Sequence, residues 1–422
     1  MIYDINQKVQ GSNLVIKLYM DKTYDRIEWS FIIRVLSCMG FSNKMTDILF
    51  RCFSSPWLSI MFLGKSWGCF KSVCGLWQGD PLSPSLFVLM QNTLSNLLHK
   101  SINEGRVRNF RCRLQSSGIS HLMFADDTIL FINGSKWSVR GINHILEVYC
   151  NWSGQLINWE KSSIFLSNRC ASSRSSSIES FLGILKKSFP MEYLGVPISS
   201  SRIQLHYFDN VFQKISNRIT NWKSSYLSFG GRITLINHVL SSIPMQVLSS
   251  IKVPNAIISR HEKIMYVFLW DAQGEGKYHW VAWERLAKPT NEGGINVVDI
   301  TGTVQAMHTK LAWESLERRS LWGTLSNSKY GTDVVNQRGR PLPLWSEILQ
   351  LIPILDPYIH WIVGRGDLYF WHDNWVGSKI DFSECSITDV SFKQASLYPV
   401  FIQSTLNADQ RTTFDLIELS SD

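Results

Sequence analysis

Two adjacent acids, Asp126 and Asp127, stand in the run SHLMFADDTILFING (Ser120–Gly134) between two apolar, strand-like segments. Carboxylates that close raise each other's pKa. A divalent cation relieves the repulsion, because hard oxygens are the natural ligands of magnesium. The pair is therefore a candidate catalytic, metal-holding site. As a bare dipeptide it suits an ordinary polar turn equally well, since aspartate is common there. A second cluster is basic: GRVRNFRCRLQ (Gly105–Gln115) carries Arg106, Arg108, Arg111 and Arg113. Two alternating pairs, broken by Asn109 and Phe110, would set arginines on the faces of a short ribbon. That pattern fits nucleic-acid phosphates, and it also fits a solvated hairpin with no partner.

The charge of the whole chain leans the same way. Its 422 residues hold 42 Lys+Arg against 34 Asp+Glu, a net charge of +8. Residues 1–320 contribute 35 basic and 22 acidic side chains (+13), and residues 321–422 contribute 7 and 12 (−5). A basic body suits a polyanion, because each neutralised phosphate releases counterions. With 45% hydrophobic and 18% charged residues the chain can build real cores and is not disordered throughout. Eight cysteines form no CxxC pair, which excludes the usual zinc spacings. No apolar run approaches the roughly 18 residues that span a bilayer, and MIYDINQKVQGSN lacks a signal-peptide pattern. An intracellular protein, nuclear or cytoplasmic and away from membranes, is expected.

The elements that must position these side chains are legible in outline. NLVIKLYM (Asn13–Met20) reads as a buried strand, and Tyr24–Phe41 as a helix ending on glycine. Asn43–Ser55 is a second helix closed by Pro56. WLSIMFLGKSWGCFKSV (Trp57–Val73) reads as two strands around a turn at Gly64–Lys65. Pro81–Asn103 is a long amphipathic helix with proline in its first turn, and Ser120–Gly134 is strand, polar turn, strand. Val139–Gly154 is a helix closed by glycine, and the Ser-rich stretch Ser167–Ser177 a mobile loop. From about Leu205 the texture changes to helix after helix. Trp270, Trp280, Trp283, Trp313, Trp361, Trp371 and Trp375 fall mostly in apolar segments, as core packing requires; base stacking is the other use of such rings.

FADD (Phe124–Asp127) has company. GLWQGDPLSPSLFVLM (Gly75–Met90) lies about 45 residues upstream and TYDRIEW (Thr23–Trp29) further upstream; GQLINWEKSS (Gly154–Ser163) and EYLGVPIS (Glu192–Ser199) follow. In this order the blocks resemble the palm of reverse transcriptases, specifically those of plant LINE-type (non-LTR) retrotransposons. NWKSSYLSFGGRITLINHVLSSIPM (Asn221–Met245), EGGINVVDI (Glu292–Ile300) and GRGDLYFWHDNWVG (Gly364–Gly377) extend the resemblance over almost the whole chain.

The resemblance implies RNA-directed DNA synthesis with Mg2+ or Mn2+ held by palm carboxylates, an RNA template, a DNA primer and dNTP. It assigns Asp126 and Asp127 to the metal and Tyr24 to the sugar, where its ring favours dNTP over NTP. Gln78 and Gly79 are assigned to the nucleotide and template, and Lys161 to the incoming phosphates. The implied fold is α+β: an antiparallel palm sheet with packed helices over residues 1–200, a helical thumb or connection over 201–320, and a Trp-rich acidic region over 321–422. The resemblance starts at the first palm strand, so the fingers are expected to be missing.

Two positions depart from the pattern. Where the family has roughly KLDMxKAYD this chain has KLYMDKTYD, so Tyr19 stands at the first metal-binding aspartate. A phenol with an ordinary pKa near 10 is a poor magnesium ligand, so weak metal binding and an inactive polymerase are expected. Asp21 points to the same side but about 6.6 Å further along the strand. Trp77 replaces the arginine that usually precedes QGD. A non-enzymatic nucleic-acid-binding remnant is the alternative reading.

Overall fold

A computed structural model describes residues 1–112, 119–201, 203–221, 227–270, 281–317, 320–330 and 343–359. Arg113, the GRGDLYFWHDNWVG block, Trp280, Trp361, Trp371 and Trp375 lie outside the described residues. The chain divides into two compact units, Met1–Ile300 and Thr301–Asp422.

The first unit is α+β, built on a five-stranded antiparallel sheet. β1 (Asn13–Asp21) is its centre, because Leu14, Ile16, Leu18 and Met20 alternate with Val15 and bury both faces. After it come α1 (Trp29–Cys38), α2 (Asn43–Ser54), β2 (Trp57–Phe62), β3 (Lys65–Lys71) and α3 (Ser83–Asn103). Next are β4 (His121–Phe124), β5 (Asp127–Asn133), α4 (Lys136–Ser153), β6 (Leu156–Ile157) and β7 (Ser163–Leu166). The strand order is β4-β5-β1-β6, with β7 also paired to β1. The even-numbered side chains of β1 pack with Phe31, Ile32, Phe87, Met90, Ile142 and Tyr149 of α1, α3 and α4. Val15, Ile129, Phe131 and Phe165 form a smaller core on the opposite face with Ile2, Phe110 and Met191.

Two expectations are corrected. The helix expected from Tyr24 begins five residues later, at Trp29. Lys22 adopts φ +47° and the Asp25 N–H returns to the Lys22 carbonyl, so residues 22–25 form a turn that leaves Tyr24 outside the helix. The Ser-rich stretch is helical from Ser172: α5 runs Ser172–Leu182. Ser175, Ile178 and Leu182 form its buried stripe, and the Ser176 and Ser177 hydroxyls bond back to the carbonyls of Ser172 and Ser173.

Beyond a small hairpin, β8 (Met191–Tyr193) and β9 (Val196–Ile198), the first unit is helical. It contains α6 (Asp209–Asn221), α7 (Phe229–Leu235), α8 (Ser242–Ser250), α9 (Asn255–Trp270) and the short α10 (Trp283–Leu286). In the second unit α11 (Ile300–Glu317), α12 (Leu321–Tyr330) and α13 (Pro343–Leu355) enclose a core of Ala312, Trp345, Ile348 and Leu349. Of the tryptophans expected to pack in cores, Trp270 and Trp283 are half-buried and Trp313 is 36% exposed; Trp345, which carried no such expectation, is buried at 1% exposure. Among the described residues no helix is long and apolar enough to cross a membrane.

Candidate catalytic cleft

The paired acids sit on the hairpin joining β4 to β5. Phe124 pairs with Asp127, so the loop is the two residues Ala125 and Asp126. Ala125 takes φ +49°, a left-handed conformation that costs an L-residue about 1–2 kcal/mol. Two bonds hold it there. Gln91 of α3 donates to the Ala125 carbonyl (2.5 Å), and the Met20 N–H of β1 donates to the Asp126 carbonyl (3.2 Å).

The next residue leads elsewhere. Asp127 lies directly opposite Tyr19 in the β1–β5 register, on the sheet face away from the main helices. Lys17, two residues before Tyr19 on the same face, is only 5% exposed. Its ammonium donates to the Tyr19 hydroxyl and to the Glu192 carbonyl (2.6 Å) and stands 3.8 Å from Asp127 Oδ1. Burial pushes the Asp127 carboxyl above its ordinary pKa; Lys17 works against that shift, and the neighbouring Asp126 adds to it. The side chain of Asp127 thus already has a cation beside it.

In front of the turn opens a cleft of about 740 Å³. Five of the expected site residues line it together: Tyr24, Gln78, Gly79, Asp126 and Lys161. Tyr19, Asp21, Trp77 and Asn158 also line it, while Asp127 does not. The Tyr24 ring stacks on Phe87 of α3, with centroids 4.7 Å apart and planes at 24°. The Tyr24 carbonyl accepts from the Leu76 N–H (2.8 Å), and the Ile27 carbonyl from Gly75 (2.8 Å). These bonds clamp the segment leading to Gln78 and Gly79 onto the turn after β1. Gly75 is required there: it has φ +87°, and a Cβ would lie 2.6 Å from the Asp25 carbonyl oxygen. Trp77 is anchored by its indole N–H to the Phe53 carbonyl (2.8 Å). Lys161 is exposed; its N–H bonds to Asn158 Oδ1 (3.0 Å), and the Asn158 N–H bonds to the Tyr19 carbonyl (2.8 Å).

The acids do not converge. Asp126 sits at the turn, Asp127 faces Lys17, and Asp21 faces Arg26 at 4.0 Å. Among the described residues no three His, Cys, Asp or Glu side chains could share a metal ion. Tyr19 occupies the position across from Asp127 and brings a phenol there.

The arginines lie along the sheet edge and form no regular ribbon. Val107 and Phe110 are buried, and Arg106, Arg108 and Arg111 are exposed. The Arg108 carbonyl accepts from the Asn133 N–H (2.9 Å), and the Arg111 N–H donates to Asn13 Oδ1 (3.0 Å). Arg106 pairs with Glu104 at 2.8 Å. Sequence reasoning passed over Lys17, although a charge inside the apolar run NLVIKLYM is a signal, since lysine is almost never buried unpaired. Gln91 carried no comparable signal.

Residues 2–198 match the family model described as reverse transcriptase (RNA-dependent DNA polymerase). A protein of Arabidopsis thaliana named as a ribonuclease H protein is 32% identical over 194 residues, 44% of this chain and 31% of that protein. The retrovirus-related Pol polyprotein from type-1 retrotransposable element R2 of Popillia japonica is 28% identical over 116 residues, 28% of this chain and 18% of that protein. The chain therefore spans less than a third of either relative. Among solved structures, apo telomerase from Candida tropicalis aligns with 83% of this chain and 54% of that one, at 13% identity and a TM-score of 0.35, too low to bear on the fold.

Proposed function

We propose that this chain, whose residues 2–198 are an RNA-directed DNA polymerase domain of the reverse-transcriptase family, keeps the polymerase cleft of a LINE-type retrotransposon protein and has lost its catalysis. Residues 1–200 act as the palm, 201–320 as thumb or connection, and 321–422 as an acidic, Trp-rich appendage. Tyr24 lies under the nucleotide sugar, Gln78 and Gly79 face the nucleotide and template, and Lys161 reaches for phosphates. What supports these roles is that all four line one cleft with Asp126. RNA template, DNA primer and dNTP are the partners this reading gives it.

Reverse transcriptases use divalent metal ions, which activate the primer oxygen and steady the departing pyrophosphate. The residues here do not fit that pair of ions. Tyr19 stands opposite Asp127, Lys17 is beside both, and of the two acids that line the cleft Asp126 sits at the turn and Asp21 is turned to Arg26. That arrangement is the observation on which the loss of catalysis rests. Primer extension on poly(rA)/oligo(dT) with magnesium or manganese tests it, and no extension is expected.

A second reading, nucleic-acid binding without catalysis, is favoured by the outward Arg106, Arg108 and Arg111, which the buried Val107 and Phe110 fix on the surface. It requires affinity that is independent of sequence and falls with salt.

A further inference from the structure

Away from the cleft, β2 and β3 form a two-stranded sheet whose apolar side chains belong to neither core. Trp57, Ile60, Met61, Phe62, Trp67 and Phe70 are between 46% and 72% exposed. Cross-strand pairs Leu58↔Phe70, Ile60↔Trp67 and Phe62↔Lys65 place Ile60, Phe62, Trp67 and Phe70 on one face. The other face carries Trp57, Met61, Ser66 and Lys71. The turn is Leu63–Gly64, one residue earlier than expected, with φ +48° and +73°, the two left-handed residues of a type I′ hairpin. A lone hairpin is marginal in water, and an apolar face of this size marks a contact surface.

Charge selects the occupant. From Ile48 to Gly79 there is no aspartate or glutamate; Arg51 in that stretch is paired with Asp47 (2.8 Å), which leaves Lys65 and Lys71 as the cations of the hairpin. Lys71 Nζ lies 4.8 Å from the centre of the Trp57 ring. Two copies meeting here would oppose lysines with no acid to receive them, whereas phosphates complement them. Phe62 on β2 and Trp67 on β3 are diagonal same-face neighbours, about 7–8 Å apart, and Phe70 follows Trp67 beyond the register shift between Leu58 and Ile60. Sheets that display aromatics this way stack two or three unpaired bases, tolerant of sequence because every base has a π face.

We propose that the Phe62–Trp67–Phe70 face is a stacking platform for single-stranded nucleic acid, with Lys65, paired with Phe62 on the same face, to meet its phosphates. The proposal rests on the polymerase-type reading and gives the unpaired strand a site outside the cleft.

The test uses the full chain and fluorescence anisotropy with labelled single strands of about 12 nucleotides, and an RNA–DNA hybrid of equal length. Trp67→Leu keeps apolar bulk without the ring and should weaken single-strand binding about tenfold, leaving hybrid binding and the salt slope unchanged. Trp67→Phe should retain most of the affinity, and circular dichroism should report the same fold for all three proteins. Unchanged single-strand affinity in Trp67→Leu, or equal losses in Trp67→Leu and Trp67→Phe, overturns the platform. So does a dimer in sedimentation that Trp67→Leu dissociates with binding intact, which would assign the face to a second copy. If the parent binds neither ligand, the polymerase-type reading itself fails; if it binds the hybrid while single strands ignore Trp67, the platform alone fails.

Discussion

Replacing Tyr19 with aspartate asks whether the cleft is one side chain short of a metal site. The β1–β5 register puts residue 19 directly across from Asp127, where facing Cα atoms are about 4.5–5.5 Å apart. A new carboxylate about 5 Å from Asp127 would repel it by roughly 3 kcal/mol at an effective dielectric constant of 20. The Lys17 ammonium, 3.8 Å from Asp127 Oδ1, offsets part of this, and the substitution also removes the Tyr19 hydroxyl that Lys17 now bonds. Without divalent cations Tyr19→Asp should therefore be about 1–3 kcal/mol less stable than the parent. Magnesium should return that stability by bridging the acids, raising the variant's melting temperature by several degrees and the parent's hardly at all. Calorimetric titration should show magnesium affinity at least tenfold higher in the variant, a difference of about 1.4 kcal/mol. Equal affinities for the two proteins would refute the placement of residue 19 at a metal position.

The remaining expectations concern stability and binding. Burial lowers the His261 pKa to about 4, with partial compensation from the Leu240 backbone. The unfolded chain, with a pKa near 6.5, then binds more protons between pH 6.5 and 4, so His261 costs stability as pH falls through that window, up to about 3 kcal/mol. A His261→Leu variant should lose this part of the pH dependence, and parallel denaturation midpoints of parent and variant at pH 7 and 5 would exclude it. Gly75→Ala should cost about 2 kcal/mol or more in urea unfolding, because its Cβ strikes the Asp25 carbonyl. Gly79→Ala, at φ +93° in open space, should cost only about 1 kcal/mol. Changing Arg106, Arg108 and Arg111 to alanine should lower the slope of log affinity against log salt by about 0.7–0.9 for each phosphate no longer neutralised, measured by filter binding. An unchanged slope would remove these arginines from the interface.

Elements with one strong signal were legible. NLVIKLYM reads as a buried strand and is β1; the proline expected in the first turn of the long helix is Pro84 of α3; FADD marks the β4–β5 reversal. The cleft residues were reached through the family resemblance and not through periodicity, and the structure gathers Tyr24, Gln78, Gly79, Asp126 and Lys161 on its walls. What stayed hidden depends on pairings distant in sequence. The pairing of Tyr19 with Asp127 needs a register between strands more than 100 residues apart, and a one-residue slip would turn every side chain to the other face. The left-handed Ala125 is held by Gln91 of α3, a tie that no local propensity encodes. α5 was obscured because serine favours turns and caps, while Ile178 and Leu182 supply the stripe that makes the segment helical.

The central proposal is that Tyr19 has ended catalysis in a cleft that still gathers Tyr24, Gln78, Gly79, Asp126 and Lys161. Incorporation of labelled dTTP on poly(rA)/oligo(dT) by the full chain, in magnesium and separately in manganese, tests it most directly. Incorporation should be no greater than in an Asp126→Ala control under either metal. Incorporation by the parent that disappears in Asp126→Ala would contradict the account, and would mean that Asp21 supplies the carboxylate that Tyr19 lacks.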